Sequence, residues 1–157
     1  MSIINNEMEN ANLILNNKTN SLIEMAIQLK NEGNDLFKNG ELSKARSKYT
    51  RVFAYTKGLI GSGEPGSEGM VEMIQKGAWR VDISQEIKDK ARELERDVNS
   101  NMAMVYLKEQ NYPKAIEKAT KSIAIEKTSK AYFRRGKGYA MKNDFENAYK
   151  GKIKIKL

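Results

Sequence analysis

Cysteine and histidine are both absent from the 157 residues of this chain. Without thiols there is no disulfide, no thiolate nucleophile and no cysteine metal site. Without imidazole there is no histidine acid–base or metal chemistry. No apolar run approaches the roughly 18 residues that a membrane-spanning helix needs. A basic leader is missing too, because the first ten residues hold Glu7 and Glu9 and neither Lys nor Arg. No Ser/His/Asp set and no P-loop is present. The one glycine-rich stretch, GSGEPGSEG at 61–69, is interrupted by acids and Pro65 and follows no strand. These absences predict a non-enzymatic cytoplasmic chain with no cofactor, no metal and no membrane segment.

What remains is ordinary for a soluble helical protein: 39% hydrophobic and 31% charged residues in a length that suits one domain with a sizeable core. The net charge of +8 is unevenly placed. Residues 110–157 carry 13 Lys and Arg against 4 Asp and Glu, whereas residues 1–109 carry 15 against 16. The basic C-terminal part can attract nucleic acid, acidic lipid or an acidic peptide, and charge alone does not choose among them.

Along the chain, residues 1–20 are rich in Asn, with little to bury, and predict a disordered arm. From Ser21 the apolar residues Ile23, Ala26, Leu29, Leu36 and Phe37 recur at three- and four-residue steps, the mark of a helix. Asn39-Gly40 ends it, and a second helix runs through Ala45, Tyr49, Val52 and Leu59 to Gly61. After the glycine-rich breaker, Val71–Val81 reads as a short helix with Trp79 as a packing anchor. A long helix then runs from Ile83 to about Gln110, and Asn111-Tyr112-Pro113 turns the chain into the next. Thr128-Ser129 caps another, and Asn143-Asp144 turns into the last.

Three stretches superimpose: NEGNDLFKNGELSKARSKY, SNMAMVYLKEQNYPKAIEKA and RRGKGYAMKNDFENAYK. Small residues Gly33, Ala103 and Gly136 anchor them, and Ala45, Ala115 and Ala148 each follow 12 positions later. The third unit begins 33 residues after the second, and the second 70 after the first, about two periods of roughly 34. The pattern resembles the tetratricopeptide repeat over about residues 26–155. It implies an all-α, right-handed superhelix of three hairpins, with units at about 26–60, 84–128 and 129–157 and an insert at about 61–82. Departures are Ala119 where an aromatic is usual, and Lys152 where a bulky apolar residue is usual. The last helix is weakly apolar and no capping helix follows, which predicts a frayed end or an apolar surface covered by a partner.

Stacked hairpins place Lys30, Asn34, Asn101, Lys130 and Arg134 on one wall of a groove, a set with cationic and amide donors and no acid. Lys30 and Asn34 share a helix face, as do Lys130 and Arg134. The five match, residue by residue, the carboxylate clamp of chaperone-binding tetratricopeptide domains. That resemblance implies that Lys30, Asn34 and Asn101 hold a ligand's C-terminal main-chain carboxylate. Lys130 then takes the last Asp side chain, and Arg134 an upstream acid or carbonyl. The implied ligand is the Met-Glu-Glu-Val-Asp or Ile-Glu-Glu-Val-Asp tail of ninety- or seventy-kilodalton heat-shock chaperones, with no nucleic-acid partner.

Tyr132, Phe133 and Tyr139 beside Arg134-Arg135 also suggest an RNA-stacking patch, but Phe133 and Tyr139 fall on repeat core positions and are expected inside. The insert and AYFRRGKGYA are most like the C-terminal domains of FK506-binding immunophilins and aryl-hydrocarbon-receptor-interacting-type co-chaperones. Two other readings stay open: a scaffold for an unrelated acidic partner, and the non-catalytic part of an FK506-binding-type peptidyl-prolyl isomerase.

Overall fold

The computed structural model describes residues 2–60 and 83–153. The expectations for the glycine-rich stretch, for Val71–Val81 with Trp79, and for residues 154–157 lie outside the described residues, as does that for the Lys152 side chain. Among the described residues there are six helices and no strand: α1 (Ser2–Lys38), α2 (Leu42–Ile60), α3 (Gln85–Lys108), α4 (Tyr112–Ile125), α5 (Ser129–Met141) and α6 (Phe145–Ile153). They pair as three hairpins, α1 with α2, α3 with α4 and α5 with α6. The first helices also touch in sequence, α1 against α3 and α3 against α5. That is the stacking the repeat interval predicts.

Each hairpin turns by the same device. Gly40, Gln110 and Asn143 have φ of 81°, 58° and 61°, the left-handed conformation that closes a helix C-terminus. In each turn a backbone N–H reaches back five residues: Glu41 N to Leu36 O at 2.9 Å, Asn111 N to Tyr106 O at 2.9 Å, Asp144 N to Tyr139 O at 2.9 Å. The residue after the left-handed one then opens the next helix. The side chains of Asn111 and Asp144 accept from Lys114 N and Asn147 N, both at 3.3 Å. Thr128 caps α5 in the same way, accepting from Ala131 N at 3.3 Å. Gln110 is the strained member, since a Cβ in this conformation costs about 1–2 kcal/mol. Gln110→Gly is therefore expected to raise stability by about 0.5–1 kcal/mol, the strain relief less the entropy of a glycine, read as a higher urea midpoint at unchanged slope.

The core runs through Ile23, Leu29, Tyr49, Val52, Leu59, Ile87, Leu94, Val98 and Val105, all buried. Its close contacts follow a size rule. The first helix carries Gly33 where the second brings in Tyr49, and a Cβ on Gly33 meets the Tyr49 ring at 2.7 Å. One unit later the equivalent pair is Ala103 and Ala119, both fully buried. The missing aromatic at 119 is thus matched by a Cβ at 103.

Two expectations are corrected. The Asn-rich stretch is not a disordered arm: residues 2–20 continue α1. Leu15, Thr19, Ile23 and Ala26 are buried at helical spacing, so one face of the stretch carries on the stripe of the first hairpin. Extending an existing helix adds a hydrogen bond per residue without a new nucleation cost, so Asn is tolerated there. Of the patch Leu13-Ile14-Leu15, only Leu15 docks; Leu13 and Ile14 are exposed. Phe133 is likewise outside the core, 59% exposed. Its counterpart in the second unit, Ser100, is buried beneath the third unit's Arg134. Phe133 sits in the third unit, and among the described residues no further unit packs on it. It joins Phe145 and Tyr149, exposed on α6, around an apolar cleft of about 460 Å³.

Candidate functional site

A second concavity, of about 350 Å³, lies on the face made by the first helices. Asn34 and Phe37 reach it from α1, Asn101 and Met104 from α3, and Lys130 and Arg134 from α5. Four of the five residues picked out in the sequence therefore meet there. The fifth, Lys30, sits one turn before Asn34 on α1 and directs its ammonium to Asp97 Oδ2 at 3.5 Å.

A chain of hydrogen bonds holds the polar wall. Tyr49, entering from α2 beneath Gly33, donates its hydroxyl to Asn34 Oδ1 at 2.8 Å. Asn101 Nδ2 donates to the same oxygen at 2.9 Å. Arg134 Nη1 donates to Asn101 Oδ1 at 3.3 Å and to Ser100 Oγ at 2.6 Å. An amide oxygen has two lone pairs, and both on Asn34 are taken from within. Among the described residues the Asn34 amide nitrogen donates to no protein acceptor and Arg134 donates from Nη1 alone, while the Asn101 amide also bonds the Tyr49 hydroxyl. The internal bonds use acceptors and spare donors, so the wall has the hydrogen-bonding polarity that suits an anion even where its residues are neutral. Bonds in such a chain polarise one another, which strengthens the donors at its end.

The electrostatics agree. Arg134 is 7% exposed, and burial pulls its pKa below the usual guanidinium range, with Tyr49 and Asp97 acting the other way. A guanidinium nevertheless stays charged, so the wall holds a poorly solvated cation. Lys130 is exposed by area yet crowded within the concavity. That crowding depresses its pKa, with further push from Arg134 and Lys30 and an opposing pull from Asp97. The Tyr49 phenol is pushed up to about 12, chiefly by burial, so it remains a neutral donor to Asn34 throughout the physiological range.

Three residues here escaped the sequence reading. Tyr49 looked like core, and it is; its hydroxyl passes through the core to the groove. Ser100 is hidden under Arg134. Asp97 corrects the expectation of a wall without an acid. Its sequence signal was available, four residues before Asn101 and so on the same face of α3. Phe37, expected in the core, also lines the concavity, half-buried, with Lys108 Nζ 4.6 Å from its ring centre. Among the described residues no cluster of acids is placed to hold a metal ion, and no helix is long and apolar enough to cross a membrane.

No model of a known protein family matches this sequence. Among curated proteins, FK506-binding protein 5 of Rhizopus delemar is 34% identical over 127 residues, which are 80% of this chain and 28% of that protein. The chain thus spans little more than a quarter of that relative. Among solved structures, the C-terminal TPR-containing domain of an FK506-binding protein from Plasmodium falciparum superposes with a TM-score of 0.65 at 27% identity, covering 87% of this chain and 78% of the other. The second TPR of Spaghetti (RPAP3), bound to the HSP90 peptide SRMEEVD, superposes with a TM-score of 0.58 at 24% identity, over 85% of this chain and 91% of that one.

Proposed function

With the chain placed among tetratricopeptide-repeat domains like that of FK506-binding proteins, we propose that its groove docks the free C-terminal end of an acidic peptide. The ligand we assign is the Glu-Glu-Val-Asp tail of cytosolic heat-shock chaperones. The observation that carries this reading is the hydrogen-bond chain from Tyr49 and Arg134 through Asn101 to Asn34, which consumes acceptors and leaves an array of donors. A terminal carboxylate next to an Asp side chain offers four oxygens in a small volume, and few other peptide features match that demand. Asn34 and Asn101 take the main-chain carboxylate with help from Lys30, Lys130 takes the last Asp, and Arg134 takes an upstream carbonyl or acid. Each charge-assisted bond contributes about 1.5–3 kcal/mol. The HSP90 peptide in the RPAP3 structure ends in the same four residues, which supports the choice of tail.

Titration of a fluorescent peptide ending in Glu-Glu-Val-Asp tests the proposal. Saturable binding is expected at low salt, weakened about five- to tenfold near half-molar salt because the partners are oppositely charged. Lys130→Ala is expected to weaken it by about tenfold or more, the loss of one charge-assisted bond. Absent binding at low salt, or equal binding to Lys130→Ala, overturns the assignment.

The match to 28% of an FK506-binding protein favours a compatible second reading. In it, the groove is the non-catalytic docking part of a larger peptidyl-prolyl isomerase. The reading frame flanking this sequence in the gene decides that.

A further inference from the structure

The apolar cleft of the third unit repeats a seat that this chain fills one unit earlier. In the second unit, α5 packs across α3 and α4. Its Arg134 covers Ser100, with Nη1 donating to Oγ at 2.6 Å. Its Gly138 lies so close to Ile116 that a Cβ there would meet Cγ1 at 2.8 Å. The residues 33 positions on from Ser100 and Ile116 are Phe133 and Tyr149, which are 59% and 66% exposed. Both line the cleft of about 460 Å³ between α5 and α6, together with the exposed Phe145. Among the described residues no helix packs across it. Large exposed apolar patches mark interaction sites.

The seat constrains its occupant. It lies between two antiparallel helices, as the filled one does, so its shape suits a helix laid in a groove. Phe133 has no acceptor to offer, so the occupant presents an apolar side chain where α5 presents Arg134. Opposite Tyr149 it presents a small residue, as Gly138 does to Ile116. The flanks are basic: α5 carries Lys130, Arg134, Arg135 and Lys137 and no acid, and Lys137 lines the cleft. The acids of the third unit are already engaged, Glu146 by Lys150 at 2.6 Å and Asp144 by Asn147 Nδ2 at 2.9 Å. We propose that this cleft docks an amphipathic helix of a partner protein, apolar on one face, with a small residue at the centre of that face and acids along its edges. Two copies of this chain set cleft to cleft would oppose their cations. Residues 151–157 add Lys152, Lys154 and Lys156 and no acid, so charge disfavours them too as the occupant. The cleft shares no lining residue with the carboxylate groove and stands independently of that reading.

Fluorescence anisotropy on the whole chain tests the proposal with labelled peptides of about 20 residues, long enough to form a helix. The probe carries Leu at helical spacing around a central Ala, with Glu at the remaining positions. One control replaces each Glu with Lys, a second scrambles the order, and a third replaces the central Ala with Phe. Saturable binding of the probe is expected at low salt, with each control about tenfold weaker or more. Phe133→Ser and Tyr149→Ser should each weaken the probe about fivefold or more. Both side chains are exposed, and thermal melts matching the parent verify that the variants fold. If the probe does not bind, if any control binds as tightly, or if both variants bind as the parent does, the inference is overturned. A concentration-dependent dimer in light scattering that Phe133→Ser abolishes also overturns it, because a second copy is then the occupant. So does a single-stranded oligouridylate that binds the parent and neither variant, since exposed rings beside lysines also serve base stacking.

Discussion

Gly33→Ala is expected to destabilise the chain by about 1–3 kcal/mol, the range for overpacking a tight interior. The added Cβ meets Tyr49 Cε1 at 2.7 Å and Cδ1 at 2.8 Å, and Tyr49 is 1% exposed, so the ring has nowhere to retreat. The effect should not stop at stability. The same ring carries the hydroxyl that fixes Asn34, so displacing it loosens the amide at the centre of the groove. Urea unfolding should show a lower midpoint, and peptide affinity should fall even in the folded fraction. Ala is present at the equivalent position of the second unit, Ala103, and tolerated there because Ala119 replaces the ring. A substitution at Gly136 should be milder, since a Cβ there has only the carbonyl oxygen of Ala148 nearby, at 3.7 Å. Equal costs at Gly33 and Gly136 would contradict the size rule.

Arg134→Ala is expected to abolish most of the binding, a loss of about 2–4 kcal/mol and therefore of roughly thirtyfold or more in affinity. Arg134 is both the least solvated cation of the wall and the source of the hydrogen-bond chain through Asn101. Without it, Asn101 Oδ1 is free to turn an acceptor toward the ligand. Stability should change by only about 1 kcal/mol, because removing a buried cation recovers its desolvation cost while losing its two bonds. Arg134→Lys should not restore affinity, since an ammonium lacks the planar fork that serves Ser100, Asn101 and a ligand together. Isothermal titration of both variants, alongside thermal melts, checks this. Full rescue by Lys would mean that charge alone, not the relay, makes the site.

Much of this architecture was legible from residue spacing. The three left-handed turns at Gly40, Gln110 and Asn143 keep the same intervals as Gly33, Ala103 and Gly136, so the register read from small residues is the register of the backbone. Spacing puts Lys30 with Asn34 and Lys130 with Arg134 on shared helix faces, and the resemblance to the repeat picked out the five; Asn34, Asn101, Lys130 and Arg134 line one concavity, with Lys30 one turn away against Asp97. What was not legible depends on reach and on neighbours. Tyr49 is a core residue by pattern, and only the three-dimensional crossing of α1 and α2 brings its hydroxyl to Asn34. Phe133 occupies a position that in the second unit, at Ser100, is buried by the following unit, and among the described residues nothing plays that part for the third. The Asn-rich stretch has a disordered composition overall, yet Leu15 and Thr19 sit on one face in step with Ile23, and a face matters more to a helix than an average. Asp97 shares the Asn101 face of α3 by spacing, but a pattern of donors carries no signal for an acid among them.

In the proposed docking, a free terminal carboxylate is recognised through donors left over from an internal hydrogen-bond chain. The most direct test compares one peptide ending in Glu-Glu-Val-Asp with the same peptide amidated at the C-terminus, titrated against the unaltered chain at low salt. Amidation is expected to weaken binding by about tenfold or more, since it removes a charge and turns an acceptor into a donor facing the Asn34 and Asn101 amides. Equal affinity for the acid and the amide would contradict it.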